Sequence, residues 1–159
     1  MADTVSGIGL LTMTQEEFQK KYGQATETET LENPIYGAAT VKYTYDWGYA
    51  VFTRTSGDMY LAELYFTDTG TFTGPRGTAV GNTESQVVSA FRDMGQVESP
   101  SGNRGLYSNS TGVGKIYAQE DGGKIIRYTA GTADSHTWKL EYTLNASGTV
   151  TAIDFVYLP

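Results

Sequence analysis

Apolar and polar side chains alternate along much of the chain, and this alternation is typical of β-strands with one buried face. From residue 138 to residue 144 the even positions are apolar and the odd positions are polar. Residues 60, 62, 64 and 66 form a similar apolar set. The last predicted strand, within residues 150–158, is apolar on both faces. It is therefore predicted to be central in a sheet or covered on both sides.

Two short segments have the period and the end signals of helices. Thr14 and Glu17 form a Thr-x-x-Glu capping box, in which each side chain accepts a hydrogen bond from the backbone N–H of the other residue. Thr83 and Gln86 repeat this box 69 residues later, and the apolar pair that follows keeps the same offset. A constant offset indicates an internal repeat. The expected ends of the two helices are Gly23 and Gly95.

The repeat predicts an α+β fold of two tandem units, each a helix followed by an antiparallel sheet. Residues 1–69 are the first unit, residues 70–77 are a surface linker, and residues 78–159 are the longer second unit, all within one compact body. Each unit is expected to end in a hairpin with a Ser-Gly turn, at Ser56–Gly57 and at Ser147–Gly148. Two helices are too few to cover both faces of about six to eight strands. We therefore expect them on one face of a continuous sheet, with the other face partly open.

The segments that enter the two predicted helices resemble those of a known family. Thr12-Met13-Thr14 and Gly81-Asn82-Thr83 each keep part of a Gly-Met-Thr-like entry before an apolar helix face. The chain thereby resembles the β-lactamase inhibitory protein family and the small outer-membrane assembly lipoproteins that share its half-repeat. Residues 76–83 also resemble uncharacterised secreted lipoproteins of Gram-positive bacteria. The resemblance implies a tandem α+β fold, an envelope or extracellular setting and no enzyme. The inhibitor's repeats carry disulfides, which this chain lacks, and its β-lactamase-facing loops have no counterpart here, so no inhibitory residue is transferred.

Charge and composition exclude several classes of partner and of binding site. The net charge is −7 and the 11 basic residues are scattered, so the sequence predicts no nucleic-acid partner. The absence of Cys excludes disulfides, thiolate catalysis and Cys-based zinc sites. No apolar run reaches the about 20 residues of a membrane span. Only 18% of the residues are charged, and this composition favours an extracellular or envelope protein. We expect that Met1 takes the place of a signal or lipid-anchor segment of the native precursor.

No set of residues is specific to a reaction, a cofactor or a metal, so the sequence predicts a non-enzymatic protein without a cofactor. His136, the one histidine, follows Asp134 and Ser135. Successive residues of a strand point to opposite faces, which is poor geometry for a Ser-His-Asp triad. The feature that suggests binding is a stripe of aromatic residues at every second position. A turn at residues 46–48 would divide this stripe between two strands. Alternatively, the aromatic rings pair across strands inside the core. The residues of the stripe are Tyr43, Tyr45, Trp47 and Tyr49.

These observations lead to the hypothesis of a binding module that presents its open sheet face to a protein partner. Tyr and Trp suit such an interface because their rings are stiff, flat and amphipathic. The main alternative is recognition of carbohydrate or cell wall through exposed aromatic residues such as Trp47. Catalysis by carboxylates alone and a homodimer through the last strand also stay open.

Overall fold

The chain is built mainly of β-strands. A computed structural model describes residues 3–31, 39–55, 57–95, 100, 102–109, 112–130 and 137–158. The described helical elements are α1 (Gln15–Tyr22), a 3-10 turn (Pro75–Gly77) and α2 (Glu84–Ala90). The described strands are β1 (Glu27–Thr30), β2 (Thr40–Tyr45), β3 (Gly48–Thr55), β4 (Asp58–Phe66), β5 (Arg104–Asn109), β6 (Gly112–Ala118), β7 (Lys124–Ala130), β8 (Thr137–Leu144) and β9 (Val150–Leu158).

These strands join one antiparallel sheet in the order β1-β2-β3-β4-β9-β8-β7-β6-β5. The predicted α+β class with two tandem helix-plus-sheet units is therefore wrong. The protein is mainly β, a nine-stranded sheet with two described helices of only eight and seven residues. Strands β4 and β9 pair directly, so the ladder of hydrogen bonds connects strands from both sides of residues 70–77. The repeated capping boxes predicted the two helix starts, but not that the strands of both halves would join one sheet that outweighs the two short helices.

Both predicted helices are present and begin at the predicted capping boxes. In α1, Thr14 Oγ1 accepts from the N–H of Glu17 at 3.2 Å, and Glu17 Oε1 accepts from the N–H of Thr14 at 3.3 Å. In α2, Thr83 and Gln86 make the equivalent hydrogen bonds at 3.2 and 2.8 Å. The side chains thereby satisfy N–H groups that the first turn of a helix leaves free.

The two helix ends differ from each other. Helix α1 ends at Gly23, as predicted, and Gly23 has the positive φ of +84° that glycine adopts without strain. Helix α2 ends at Ala90, before the predicted stop at Gly95, because Phe91 takes extended backbone and places its ring in the core. No helix among the described residues is long and apolar enough to cross a membrane.

One face of the sheet packs against the helices and forms the hydrophobic core, and we call it the core face. Residues that are directly opposite in antiparallel strands point to the same face. Leu64 pairs with Phe155, and Phe155 pairs with Leu140, so these three side chains lie in one row of the core face. The helix side chains buried against this face are Phe18 in α1 and Val87 in α2.

Strand β9 stands fifth of the nine described strands, which confirms the central position predicted for residues 150–158. Ile153 and Phe155 are buried on the core face. Ala152 and Val156 are buried on the opposite face. The predicted alternation in residues 138–144 is also confirmed, because the apolar even positions from Leu140 onward lie in the core cluster.

The segment 70–77, predicted as a surface linker, contributes to the core. Phe72 is only 4% exposed, and its ring centroid lies 4.7 Å from that of Trp47 and 5.2 Å from that of Phe66. The backbone N–H of Ser6 donates to the carbonyl of Thr73 at 2.8 Å, so the N-terminal segment is fastened to this stretch.

The two predicted Ser-Gly turns lie at the ends of β3 and β8. Ser147–Gly148 lies in the turn between β8 and β9, with Gly148 at φ +81°. In the other predicted turn, Gly57 lies between β3 and β4 at φ +96°, whereas Ser56 lies outside the described residues.

Candidate binding face

The face of the sheet opposite to the helices carries a band of polar and aromatic side chains, and we call it the open face. The core cluster takes its strand residues from the core face only. One row of cross-strand partners on the open face consists of Thr44, Tyr49, Tyr65, Asp154, Glu141, Arg127 and Lys115. The next row consists of Lys42, Val51, Glu63, Val156, Lys139 and Thr129. All of these residues are half-buried except the two valines, which are buried.

The four residues of the predicted aromatic stripe do not share a face. Tyr43 and Tyr45 lie on the core face of β2, and the hydroxyl of Tyr45 donates to the carbonyl of Gly23 at 2.9 Å. Trp47 lies in the turn after β2, and its ring stacks on Tyr45 with 4.7 Å between centroids. Of the four, Tyr49 on β3 is the one that lies on the open face.

A two-residue turn between β2 and β3 explains this division. Tyr45 pairs with Gly48 and Thr44 pairs with Tyr49, so each odd position of β2 is opposite an even position of β3. Odd positions of the two strands therefore point to opposite faces. The turn requires glycine at position 48, where φ is +144° and a Cβ would lie 2.0 Å from the carbonyl oxygen of Tyr65.

Tyr49 is the centre of an aromatic and charged cluster on the open face. Its ring stacks on Tyr65 with 4.9 Å between centroids and an interplanar angle of 22°. Its hydroxyl donates to Glu63 Oε2 at 3.0 Å. Burial and the charge of Glu63 raise the pKa of Tyr49, so the hydroxyl keeps the proton that it donates. Lys42 Nζ lies 4.2 Å from the ring centroid of Tyr49, in a cation–π contact.

Asp154 lies beside this cluster, near the middle of the sheet. Burial is the largest cause that raises the pKa of Asp154 to about 9, followed by a hydrogen bond with Glu63 and the negative charge of Glu63, while Lys139 opposes the rise. The Oδ1 atom of Asp154 is buried and has no hydrogen-bond partner among the described residues. The raised pKa favours the protonated form of this side chain at neutral pH.

Cationic side chains occupy the part of the open face beyond β9. Arg127 Nε lies 2.5 Å from Glu141 Oε1, and Lys139 Nζ lies 3.6 Å from the same oxygen. Arg127 Cζ also lies 4.8 Å from the ring centroid of Tyr117, and Lys115 Nζ lies 5.0 Å from it. The open face thus has a tyrosine-rich half and a half with most of the cationic side chains, which meet at β9.

Among the residues of this face that sequence reasoning missed are Glu63, Tyr65 and Asp154. The sequence contains a signal that could have identified two of them, Glu63 and Asp154. Glu63 and Asp154 are single carboxyl groups within the mainly apolar segments 61–66 and 152–158. A carboxylate in a strand that is predicted to be central is costly to bury, so it indicates an unusual environment.

Within the described ranges, no group of three or more His, Cys, Asp and Glu side chains could hold a metal ion. The tripeptide Asp134-Ser135-His136 lies outside the described residues. What the open face offers is hydrogen bonding, aromatic surface and charge of both signs.

Comparison of the chain with protein-family models, with curated proteins and with solved structures found no match. The resemblance to the β-lactamase inhibitory protein family therefore depends on the short sequence segments alone.

Proposed function

We propose that the protein is a non-catalytic binding module of the bacterial cell envelope or exterior, and that it docks a protein partner on the open face of its sheet. The observation that carries the proposal is the division of the sheet into an apolar core face and a face of half-buried tyrosines and charged groups. The low share of charged residues supports the extracellular or envelope setting.

The side chains of the open face are held in place by one another. The stacked rings of Tyr49 and Tyr65, and the contacts of Arg127 with Glu141 and Tyr117, restrict rotamers before any partner arrives. Binding to such a surface loses less side-chain entropy than binding to free side chains. Tyr and Arg are also the residue types that dominate the energetic centres of protein interfaces.

The open face is of a size that suits a protein partner. Seven neighbouring strands, from β2 to β6 in the sheet order, span about 29 Å at about 4.8 Å per strand spacing. Six residues along a strand span about 20 Å. The resulting area of about 600 Å² approaches the about 800 Å² that each partner buries in a standard interface.

Carbohydrate recognition has less support than protein docking. Trp47, on which that hypothesis depends, stacks on Tyr45 and lies edge-on to Phe72 with 4.7 Å between ring centroids. Its flat surfaces are therefore largely used within the fold. Titration of the tryptophan fluorescence with a glycan panel would revive the alternative if a glycan changed the signal and Trp47→Phe abolished that change.

Site-specific photo-crosslinking tests whether a protein partner docks on the open face. A photoreactive phenylalanine analogue at Tyr65 should capture a protein from a bacterial envelope or secreted fraction. The same analogue at Lys20, which is exposed on α1, should not. Unlabelled wild-type protein should compete for the crosslinked product, and Arg127→Ala should compete less well. Equal capture from both positions, or capture from neither, would refute the proposal.

A further inference from the structure

Two carboxyl groups meet near the middle of the open face. Glu63 on β4 pairs with Val156, and Tyr65 pairs with Asp154 on β9, so Glu63 and Asp154 occupy diagonal positions on neighbouring strands. Side chains at diagonal positions lie within reach of each other. The two carboxyl groups interact, because Glu63 is among the causes that raise the pKa of Asp154.

The surroundings of this pair exclude much of the solvent. Glu63 stands between its cross-strand partners Val51 and Val156, which are 3% and 5% exposed. Tyr49 donates to one carboxylate oxygen of Glu63. On Asp154, the Oδ1 atom is buried without a hydrogen-bond partner among the described residues. Water therefore does little to stabilise a second negative charge here.

The neighbouring charges do not neutralise the pair. Arg127 and Lys139 both contact Glu141, and Lys42 lies over the ring of Tyr49. Within the described part of the face, no cation forms an ion pair with either Glu63 or Asp154. The titratable and charged groups that surround the pair are Lys42 on β2, Tyr49 on β3, Tyr65 on β4, Lys139 and Glu141 on β8, and Arg127 on β7.

Two carboxylates at one poorly solvated place cannot both be ionised without a large cost, so one of them keeps its proton. We propose that Glu63 and Asp154 share one proton and form a pH-sensitive switch in the open face. When the proton is lost, the centre of the open face gains one negative charge. The effect of the switch on docking rests on the proposed function. The sharing of the proton does not.

The switch gives a direction to the pH dependence of binding. A partner that places a basic side chain at the pair prefers the ionised form, so its binding releases the proton. Its affinity should therefore rise with pH, by up to about tenfold per pH unit. The rise should stop when the pH passes the pKa of Asp154 in the free protein, which is about 9.

Carbon-13 NMR of the side-chain carboxyl groups tests the shared proton in the full chain without a partner. Over a titration from about pH 3 to about pH 10, the resonance of Asp154 should keep its protonated shift past neutral pH, several pH units above an ordinary Asp. Titration of every Asp and Glu carboxyl below about pH 6 would overturn the proposal.

Three variants with conservative amide replacements separate the pair from its surroundings. Asp154→Asn should abolish the alkaline titration. Glu63→Gln should lower the midpoint of Asp154 by about one pH unit or more, because the neighbouring negative charge is gone. Glu29→Gln, a matched change on β1 at the edge of the open face, should leave the midpoint unchanged. A midpoint of Asp154 that is the same in Glu63→Gln and in the wild type would refute a shared proton.

The two proposals fail in different experiments. An ordinary titration midpoint of Asp154 refutes the switch but not the proposal that a partner docks on the open face. A failed crosslink from Tyr65 refutes that docking proposal but not the shared proton. When a partner has been captured, a pH-independent affinity would refute the link between them.

Discussion

Tyr128 and Tyr142 are a matched pair of buried tyrosines on the core face. Both are 0% exposed, and their rings lie edge to face with 6.3 Å between centroids. Their hydroxyl groups differ. The hydroxyl of Tyr142 lies 2.7 Å from Thr78 Oγ1, whereas that of Tyr128 has no hydrogen-bond partner among the described residues. The same substitution, Tyr→Phe, should therefore have opposite effects at the two positions.

The sign and size of each effect follow from the contacts. Thr78 Oγ1 donates to the carbonyl of Pro75 at 2.7 Å, so the hydroxyl of Tyr142 is the donor to Thr78. Tyr142→Phe removes a buried hydrogen bond and should lower the free energy of unfolding by about 1–2 kcal/mol. Tyr128→Phe removes a buried hydroxyl that is not hydrogen-bonded, and should raise the free energy of unfolding by about 1 kcal/mol. The ring of Tyr128 keeps its stacking on Phe91 in either case.

Thermal and urea unfolding of the two variants test this prediction. Because 1 kcal/mol corresponds to about 2–4 °C for a chain of this size, the two melting temperatures should differ by roughly 5–10 °C. The wild type should melt between them. If both variants lost the same stability, the hydroxyl of Tyr128 would be hydrogen-bonded in solution and the argument from the buried contacts would be wrong.

Three further predictions concern the caps, a turn and the acid pair. Thr14→Ala and Thr83→Ala should each lower the free energy of unfolding by about 1 kcal/mol in urea denaturation, with Thr→Ser as the control that keeps the cap. Gly48→Ala should lower it by about 3 kcal/mol or more, because its Cβ would lie 2.0 Å from the carbonyl oxygen of Tyr65; wild-type stability would contradict the geometry of this turn. Native Asp154 holds a proton that the unfolded chain releases near pH 4, so this stabilisation is complete at low pH and is lost as the pH rises towards 9. From about pH 5 to about pH 8, the wild type should lose about 1 kcal/mol per pH unit relative to Asp154→Asn, and parallel stability curves would refute this.

Local signals in the sequence predicted the local structure well. The boxes at Thr14 and Thr83 predicted two helix starts because the capping groups lie within three residues of each other. The two-sided apolar pattern of residues 150–158 predicted a central strand, since only a covered strand is apolar on both faces. The fold class was not predicted. It depends on the pairing of β4 with β9, two strands that are far apart in sequence.

The candidate site was harder to predict than the elements. Counting every second residue from Tyr43 to Tyr49 assumes one continuous strand, and the two-residue turn after Tyr45 reverses the face. The cluster on the open face forms across strands. Tyr49 on β3 meets Glu63 on β4, and Glu63 meets Asp154 on β9, so the register had to be known first.

The position of β9 also has a consequence for biosynthesis. Strands β1–β4 and β5–β8 leave the ribosome before the strand that stands between β4 and β8. Before β9 is present, each group of four strands has an unpaired inner edge, at β4 or at β8, and an unpaired edge promotes aggregation. The nascent polypeptide should therefore depend on chaperone protection until β9 has been translated and has closed the gap.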